Sequence, residues 1–265
     1  MAGAAAKYDG KFTFQYVDRD FGPLKHKETC ELLKKWTMFD SMRVSTFRFD
    51  QKFAAFELKD FLKDMFNSAE VLAHLQTLVT VRGHWAAMGG SPGDCKGVDF
   101  EDVSCSATSM EFFDRLYECE ALRRDGSIVG CFPEYLDNGF AVNQELGKIM
   151  LMEDSDHYDT FTDNDRAELL FKIFQHITLG GPLNQYEDTI GPYFDTTKLL
   201  YKSLISVAKD PKTQKVRVTS MAVKIKAADG RSSLFPQDDH PQNFMYAVVN
   251  PTKREVSLWY HAWCG

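Results

Sequence analysis

The sequence predicts an α+β protein, with a mostly helical N-terminal half that contains short strands and an antiparallel C-terminal sheet, folded as a single compact unit. Two patterns carry this. Apolar residues recur at helical spacing through residues 58–78 and 164–179, whereas from residue 204 onward they alternate between turn signals. A third observation concerns domains. No Pro/Ser-rich linker interrupts the 265 residues, so 1–265 is read as one domain, with a subdivision into a helix-rich part (1–182) and a β part (183–265) as the alternative.

In chain order, Lys11–Val17 alternates Phe12, Phe14 and Tyr16 with polar residues, the period of a strand. Thr29–Met38 predicts a short helix facing Leu32, Leu33 and Trp36 inward, and Arg43–Phe49 a second strand. Leu58, Phe61, Leu62, Met65 and Phe66 share one helical stripe, and Val71, Leu72, Leu75 and Leu78 another, with Asn67-Ser68 as stop and N-cap between them. Thr80–Met88 predicts a strand that runs into Gly89-Gly90-Ser91-Pro92-Gly93. A phosphate cradle needs Gly-Lys-Ser/Thr, but here Cys95 precedes Lys96 and Gly97 follows it, so the loop is read as a turn.

Thr108-Ser109-Met110-Glu111 has the form of a capping box before Phe112, Phe113, Leu116 and Tyr117. Helices are expected over Asn143–Met152 and Asn164–Leu179. The second is capped by Asp163, carries Leu169, Leu170, Ile173, Phe174 and Ile177, and ends at Gly180-Gly181. Beyond Pro192 the texture becomes β. A turn is expected at Lys209-Asp210-Pro211-Lys212, and the parity of apolar residues changes between Val216/Val218 and Met221/Val223/Ile225, which predicts a bulge or twist near Thr219-Ser220. Phe244–Val249 and Glu255–His261, joined through Asn250-Pro251-Thr252-Lys253, form a hairpin.

Composition narrows the function. The formal charge is −7 and no cluster of Lys and Arg is denser than pairs such as Lys34-Lys35 and Arg123-Arg124, which disfavours nucleic acid as a partner. No stretch of about 18 apolar residues predicts a membrane span. Met1–Ala6 lacks the basic and apolar regions of a secretory signal, so an intracellular protein is expected. Cys30, Cys95, Cys105, Cys119, Cys131 and Cys264 include no CxxC pair and are read as free thiols.

The search for catalytic groups finds neither a GxSxG elbow nor HExxH, so no catalytic, cofactor or metal residue is assigned. The nearest approach is His157-Tyr158-Asp159. With His240 or His261 it would form the two-His, one-carboxylate face of an iron oxygenase, which keeps a metal- or small-ligand enzyme as the alternative function. Its acidic setting, Glu153-Asp154-Ser155-Asp156, favours a solvated turn before a helix. His176 is placed at a helix end, and His74 and His84 in satisfied structural positions.

Gln185-Tyr186-Glu187-Asp188, followed by Tyr193, is the densest polar and aromatic segment. It is either a hydrogen-bonded connector or a recognition surface. Trp259 and His261 pose a similar choice between core and exposed anchor. Tyr186, Glu187, Asp188, Tyr193, Trp259 and His261 are therefore the candidate partner-binding residues.

Several segments also carry a resemblance. Ser109-Met110-Glu111-Phe112-Phe113-Asp114-Arg115-Leu116-Tyr117, Met152-Glu153-Asp154-Ser155, Asp165-Arg166, Leu179-Gly180-Gly181, Gln185–Asp188, Pro192-Tyr193, Thr196-Thr197-Lys198 and Tyr201-Lys202 resemble the cilia- and flagella-associated protein 300 family. So do Phe49-Asp50-Gln51 and Tyr260-His261. The resemblance implies a non-catalytic factor for cytoplasmic preassembly and ciliary delivery of outer and inner dynein arms. It implies dynein arm subunits, other assembly factors and the intraflagellar transport machinery as partners, and a location in the cytoplasm and the motile cilium. It supplies no cofactor and no catalytic residue.

Overall fold

The computed structural model describes residues 10–80, 83–88, 98–136, 140–227, 234–236 and 240–264. In chain order the first elements are β1 (Phe14–Val17), α1 (Lys27–Lys35), β2 (Met42–Phe49), α2 (Leu58–Phe66), α3 (Ala69–His74), β3 (Gln76–Thr80), β4 (His84–Ala87) and β5 (Val98–Val103). They are followed by α4 (Arg115–Glu118), β6 (Gly130–Tyr135), β7 (Ala141–Gln144), α5 (Glu145–Leu151), α6 (Asp163–Arg166) and α7 (Leu169–Leu179). The remainder comprises α8 (Gly191–Leu204), β8 (Val207–Lys209), β9 (Val216–Val218), β10 (Met221–Ala227), β11 (Phe244–Asn250) and β12 (Glu255–His261).

These elements confirm the α+β class, but not a helical first half followed by a β second half. The chain folds into two compact units that interleave in sequence. One takes Met1–Phe21, Asp40–Val103 and Thr219–Gly265, the other Gly22–Phe39 and Ser104–Val218. No boundary falls at 182/183, because the C-terminal strands pair with strands from the beginning of the chain.

In the first unit a six-stranded sheet has the order β1-β2-β12-β11-β10-β5, antiparallel throughout. The expected 244–261 hairpin forms its centre. Asn250 closes the turn, its Oδ1 accepting from the amides of Thr252 (3.1 Å) and Lys253 (3.0 Å). One face of the sheet, with Phe47, Phe49, Met245, Ala247, Leu258 and Tyr260, shares a core with Phe61, Met65 and Val71 of α2 and α3. Phe61 is the hub, with ring centroids 4.8–5.1 Å from those of Phe12, Phe14, Phe49 and Phe53. The buried Asp64 carboxylate accepts from the Phe12 amide at 2.9 Å and fixes the entry to β1.

Two boundaries in this unit differ from expectation. Leu75 and Leu78 leave the helical stripe, since α3 stops at His74 and Leu78 belongs to the β3–β4 hairpin turned by Gly83 at φ +81°. His74 is structural as expected, stacked on Tyr16 at 4.6 Å with Nδ1 2.9 Å from the Glu70 carbonyl, but His84 is exposed. The turn expected over Gly89–Gly97 lies outside the described residues.

The second unit centres on α7 and α8, where Phe113, Phe161, Phe171, Phe174 and Phe194 make a continuous aromatic core. The expected 164–179 helix is two helices, α6 and α7, separated at Ala167-Glu168. The cap is Thr162 rather than Asp163: Thr162 Oγ1 accepts from the Asp165 amide at 3.2 Å and the Asp165 carboxylate accepts from the Thr162 amide at 2.9 Å. Gly180, at φ +64°, ends α7 as predicted. The capping box at Thr108 is not formed. Ser109 caps instead, its Oγ accepting from the Glu111 amide at 3.2 Å, and a 3-10 turn over Met110–Phe113 precedes α4. Asn143-Gln144 ends a strand before α5 begins.

The largest correction is α8. The sequence reading placed β structure beyond Pro192, yet Gly191–Leu204 is a helix with Pro192 in its first turn and Tyr193, Thr197, Leu200, Tyr201 and Leu204 buried along one side. The turn at Asp210 is as expected, with its carboxylate accepting from the amides of Lys212 (2.9 Å) and Thr213 (2.8 Å). The parity change near Thr219-Ser220 is the passage from β9, paired with β8, to β10 in the large sheet. Cys30, Cys105, Cys119, Cys131 and Cys264 are free thiols, and Cys95 lies outside the described residues. No helix among the described residues is long and apolar enough to cross a membrane.

Candidate functional site

The connector reading of residues 180–193 follows from their hydrogen bonds. Gly181 N donates to the Trp36 carbonyl (2.7 Å), Leu183 N to Thr37 Oγ1 (3.2 Å) and Gln185 N to the Lys35 carbonyl (3.2 Å), so this strap is laid over the C-terminal end of α1. A Cβ on Gly181 would lie 2.3 Å from the Thr37 carbonyl oxygen, which explains the glycine. Glu187 is buried, and its Oε1 accepts from Trp36 Nε1 (2.9 Å) and Lys35 Nζ (2.7 Å). Tyr193 is fully buried in α8, tilted against Trp36 at 4.8 Å, and its hydroxyl accepts from the Glu187 amide at 3.1 Å. Burial pushes the Tyr193 phenol above its ordinary pKa.

Glu187 and Tyr193 are thus internal fastenings rather than surface contacts. Tyr186 is half-buried, and of the four only Asp188 has an exposed side chain.

Trp259 and His261 also resolve to the core. Both are 0% exposed on β12, Trp259 lying 4.4 Å from Phe244 and 5.7 Å from Tyr246 between ring centroids. His261 Nδ1 donates to the Gln242 carbonyl (2.7 Å), so Nε2 accepts from Ser41 Oγ (2.9 Å). Burial lowers the His261 pKa to about 4, and burial lowers His240, stacked on Trp263 at 3.9 Å, to about 4.

A pH dependence follows. Below about pH 6.5 the unfolded rings take up protons that the folded rings refuse until about pH 4, so stability falls as pH falls through this window. Each ring contributes a slope of up to about 1.4 kcal/mol per pH unit. Urea unfolding from pH 7.5 to 5, above the carboxylate range, is expected to show this decline. A flat profile would show that the two histidines titrate normally.

His157 stands at the N-terminal end of a 3-10 turn over Tyr158–Thr160, a turn as expected. It borders an open cavity of about 330 Å³ with Glu134, Glu145, Lys148, Asp154 and Asp156. His240 and His261 belong to the other unit, and no three His, Cys, Asp or Glu side chains among the described residues are grouped to hold a metal ion. His176 stands in the last turn of α7, as expected, and is buried there.

A further concavity carries no sequence motif. An open groove of about 930 Å³ in the second unit runs between the 107–117 segment, α8 and the β8–β9 ribbon. Leu170, Phe194, Tyr201 and Ile205 contribute its apolar surface, Met110 and Tyr117 line the 107–117 side, and Val207 and Val216 close it. Tyr117, Val207 and Val216 are 41%, 54% and 50% exposed and adjoin one another as apolar surface in the groove. Tyr201 donates to the Ala107 carbonyl at 2.8 Å and so ties the two walls together. Nearby, burial pushes the Cys105 thiol up to about 12, so it stays protonated at neutral pH.

The rims carry opposite charge. Lys198 and Lys202 stand one turn apart on α8, and Glu111 and Asp114 stand on the facing segment, all four exposed. Other groove-facing charges are absent among the described residues lining it, and none of these four forms an ion pair. The signal for this wall was the spacing of Phe194, Tyr201 and Ile205 after Pro192.

The family described as "Cilia- and flagella-associated protein 300" matches residues 11–261. A protein of that name from Paramecium tetraurelia is 36% identical over 240 residues, covering 91% of this chain and 89% of the relative. Another, from Chlamydomonas reinhardtii, is 35% identical over 236 residues, covering 87% and 90%. No solved structure matches the chain. With the match spanning nearly the whole sequence, the chain belongs to the cilia- and flagella-associated protein 300 family.

Proposed function

We propose that this chain is a non-catalytic protein-binding factor that acts in the cytoplasmic assembly of outer and inner dynein arms and in their delivery to motile cilia. The observation that carries the binding role is the groove, with exposed apolar side chains between rims of opposite, unpaired charge. Such a surface gains by covering its apolar area and pairing its charges with another protein. Membership of a cilia- and flagella-associated family supports the setting. Dynein arm subunits, other assembly factors and the intraflagellar transport machinery are the proposed partners.

The test is affinity purification from the cytoplasm of ciliated cells, with the wild-type chain beside a Lys198→Glu/Lys202→Glu variant. Wild type is expected to recover dynein arm subunits or their assembly factors, and the variant at least tenfold less. A recovery without either class would overturn the proposal. These substitutions lie on an exposed helix face, so unchanged unfolding separates lost binding from lost structure.

A further inference from the structure

We infer that the groove holds one amphipathic α-helix of a partner protein, with acidic residues on the flank facing α8 and basic residues on the flank facing the 107–117 segment. This rests on the proposed binding role and adds the chemistry of the occupant. Three features of the groove specify it.

First, the rim charges recur at helical intervals. Lys198 and Lys202 are four residues apart on α8, and Glu111 and Asp114 are three apart across the groove. Side chains at these spacings stand about 5–6 Å apart, the separation between successive turns of an approaching helix. Second, the signs differ between the rims while the floor is apolar, so a matching segment needs an apolar stripe bordered by acid on one side and base on the other. A helix provides all three along parallel lines, as in groove-bound amphipathic helices. Third, α8 has its own backbone bonds satisfied internally and presents side chains to the groove, so an extended peptide would find no ladder of free amides along that wall.

The β6–β7 ribbon is a poorer docking surface. It exposes Phe132 and Tyr135, at 90% and 71%, but Pro133 interrupts the donors of β6 and the register shifts between Gly130 and Glu134.

The experiment uses fluorescence anisotropy with the full chain and labelled designed peptides of about 18 residues, five turns of helix. The matched probe has an apolar stripe, one Glu flank and one Lys flank. Two others carry Lys or Glu on both flanks, and a fourth scrambles the matched composition around two prolines so that it cannot be helical. The matched probe is expected to bind at least tenfold more tightly than the scrambled one. It should weaken at least tenfold against Lys198→Glu/Lys202→Glu, whose four acidic rim residues then favour the all-Lys probe. The Glu111→Lys/Asp114→Lys variant should favour the all-Glu probe.

Equal binding of matched and scrambled probes, or affinities indifferent to both rim variants, would overturn the inference. So would dimerisation of the full chain that both rim variants abolish and the matched probe disperses, which would place a second copy in the groove. If no probe binds but recovery of dynein or assembly factors still depends on Lys198 and Lys202, the helical occupant falls and the binding role stands. If the probes behave as expected and neither class is recovered from cytoplasm, the helix site stands and the assembly role falls.

Discussion

Replacing Arg166 with leucine is expected to lower the stability of the protein by about 3–5 kcal/mol, the range for emptying a buried polar network. Arg166 is 8% exposed and sits where α5, the 3-10 turn and α6 meet. Its Nη2 donates to the carbonyls of Ile149 (2.8 Å) and Tyr158 (2.5 Å), its Nη1 to that of Met150 (3.5 Å) and its Nε to that of Phe161 (3.2 Å). The first and third of these acceptors lie in the last turn of α5, where helix carbonyls have no partner of their own, and the positive charge favours that end of the helix dipole. The guanidinium also stacks 3.5 Å from the centre of the Tyr158 ring. Leucine fills part of the volume and leaves the Ile149 and Phe161 carbonyls without a donor, each costing about 1–3 kcal/mol, while Met150 keeps Gln175 Nε2 at 2.9 Å.

Lysine at the same position is expected to recover only part of the loss. One ammonium cannot reproduce a planar fork of donors. Thermal and urea unfolding check both variants. A leucine variant within about 1 kcal/mol of wild type would mean that water replaces the guanidinium at little cost.

The second large effect is expected at Glu187. Alanine there removes the acceptor for Trp36 Nε1 and Lys35 Nζ, and lets go of the strap between Gln185 and Tyr193. A loss of about 2–3 kcal/mol is expected, less than for a fully buried pair because Lys35 is 39% exposed and solvent recovers part of its interaction. The contrasting variant is Tyr186→Ala with Asp188→Ala. It changes the half-buried and exposed neighbours while leaving those bonds in place, so its melting temperature should remain near that of wild type. If the double variant proves as unstable as Glu187→Ala, the strap is held by its outward residues and the description above is wrong.

The parts of this fold legible in the sequence are those where one local signal and the tertiary environment agree. The 244–261 hairpin combines apolar strands with Asn250 at a turn that needs its side chain, and α7 combines a broad apolar stripe with a left-handed Gly180. Helix α8 was obscured because Thr196, Thr197, Lys198 and Lys202 gave it the composition of a polar loop and outweighed the helical spacing of Phe194 and Tyr201, while its buried threonines and tyrosines are what bind it to the unit. Trp259 and His261 could not be placed from alternation, since β11 is buried at every position and β12 at Trp259, Tyr260 and His261 in succession.

The groove lay furthest from view. Its walls come from residues 107–117, 194–205 and 207–216, and no spacing rule reports that separate segments face one another. Among the six candidate contacts, the sequence identified structurally consequential residues, but burial assigns Glu187, Tyr193, Trp259 and His261 to the interior.

The position of β12 also bears on biosynthesis. Because it lies between β2 and β11, the sheet lacks an inner strand until translation has delivered residues 255–261. Until then β2, which precedes β12 in the chain, has one of its two hydrogen-bonding sides without its native partner, an edge open to chaperones and to mispairing.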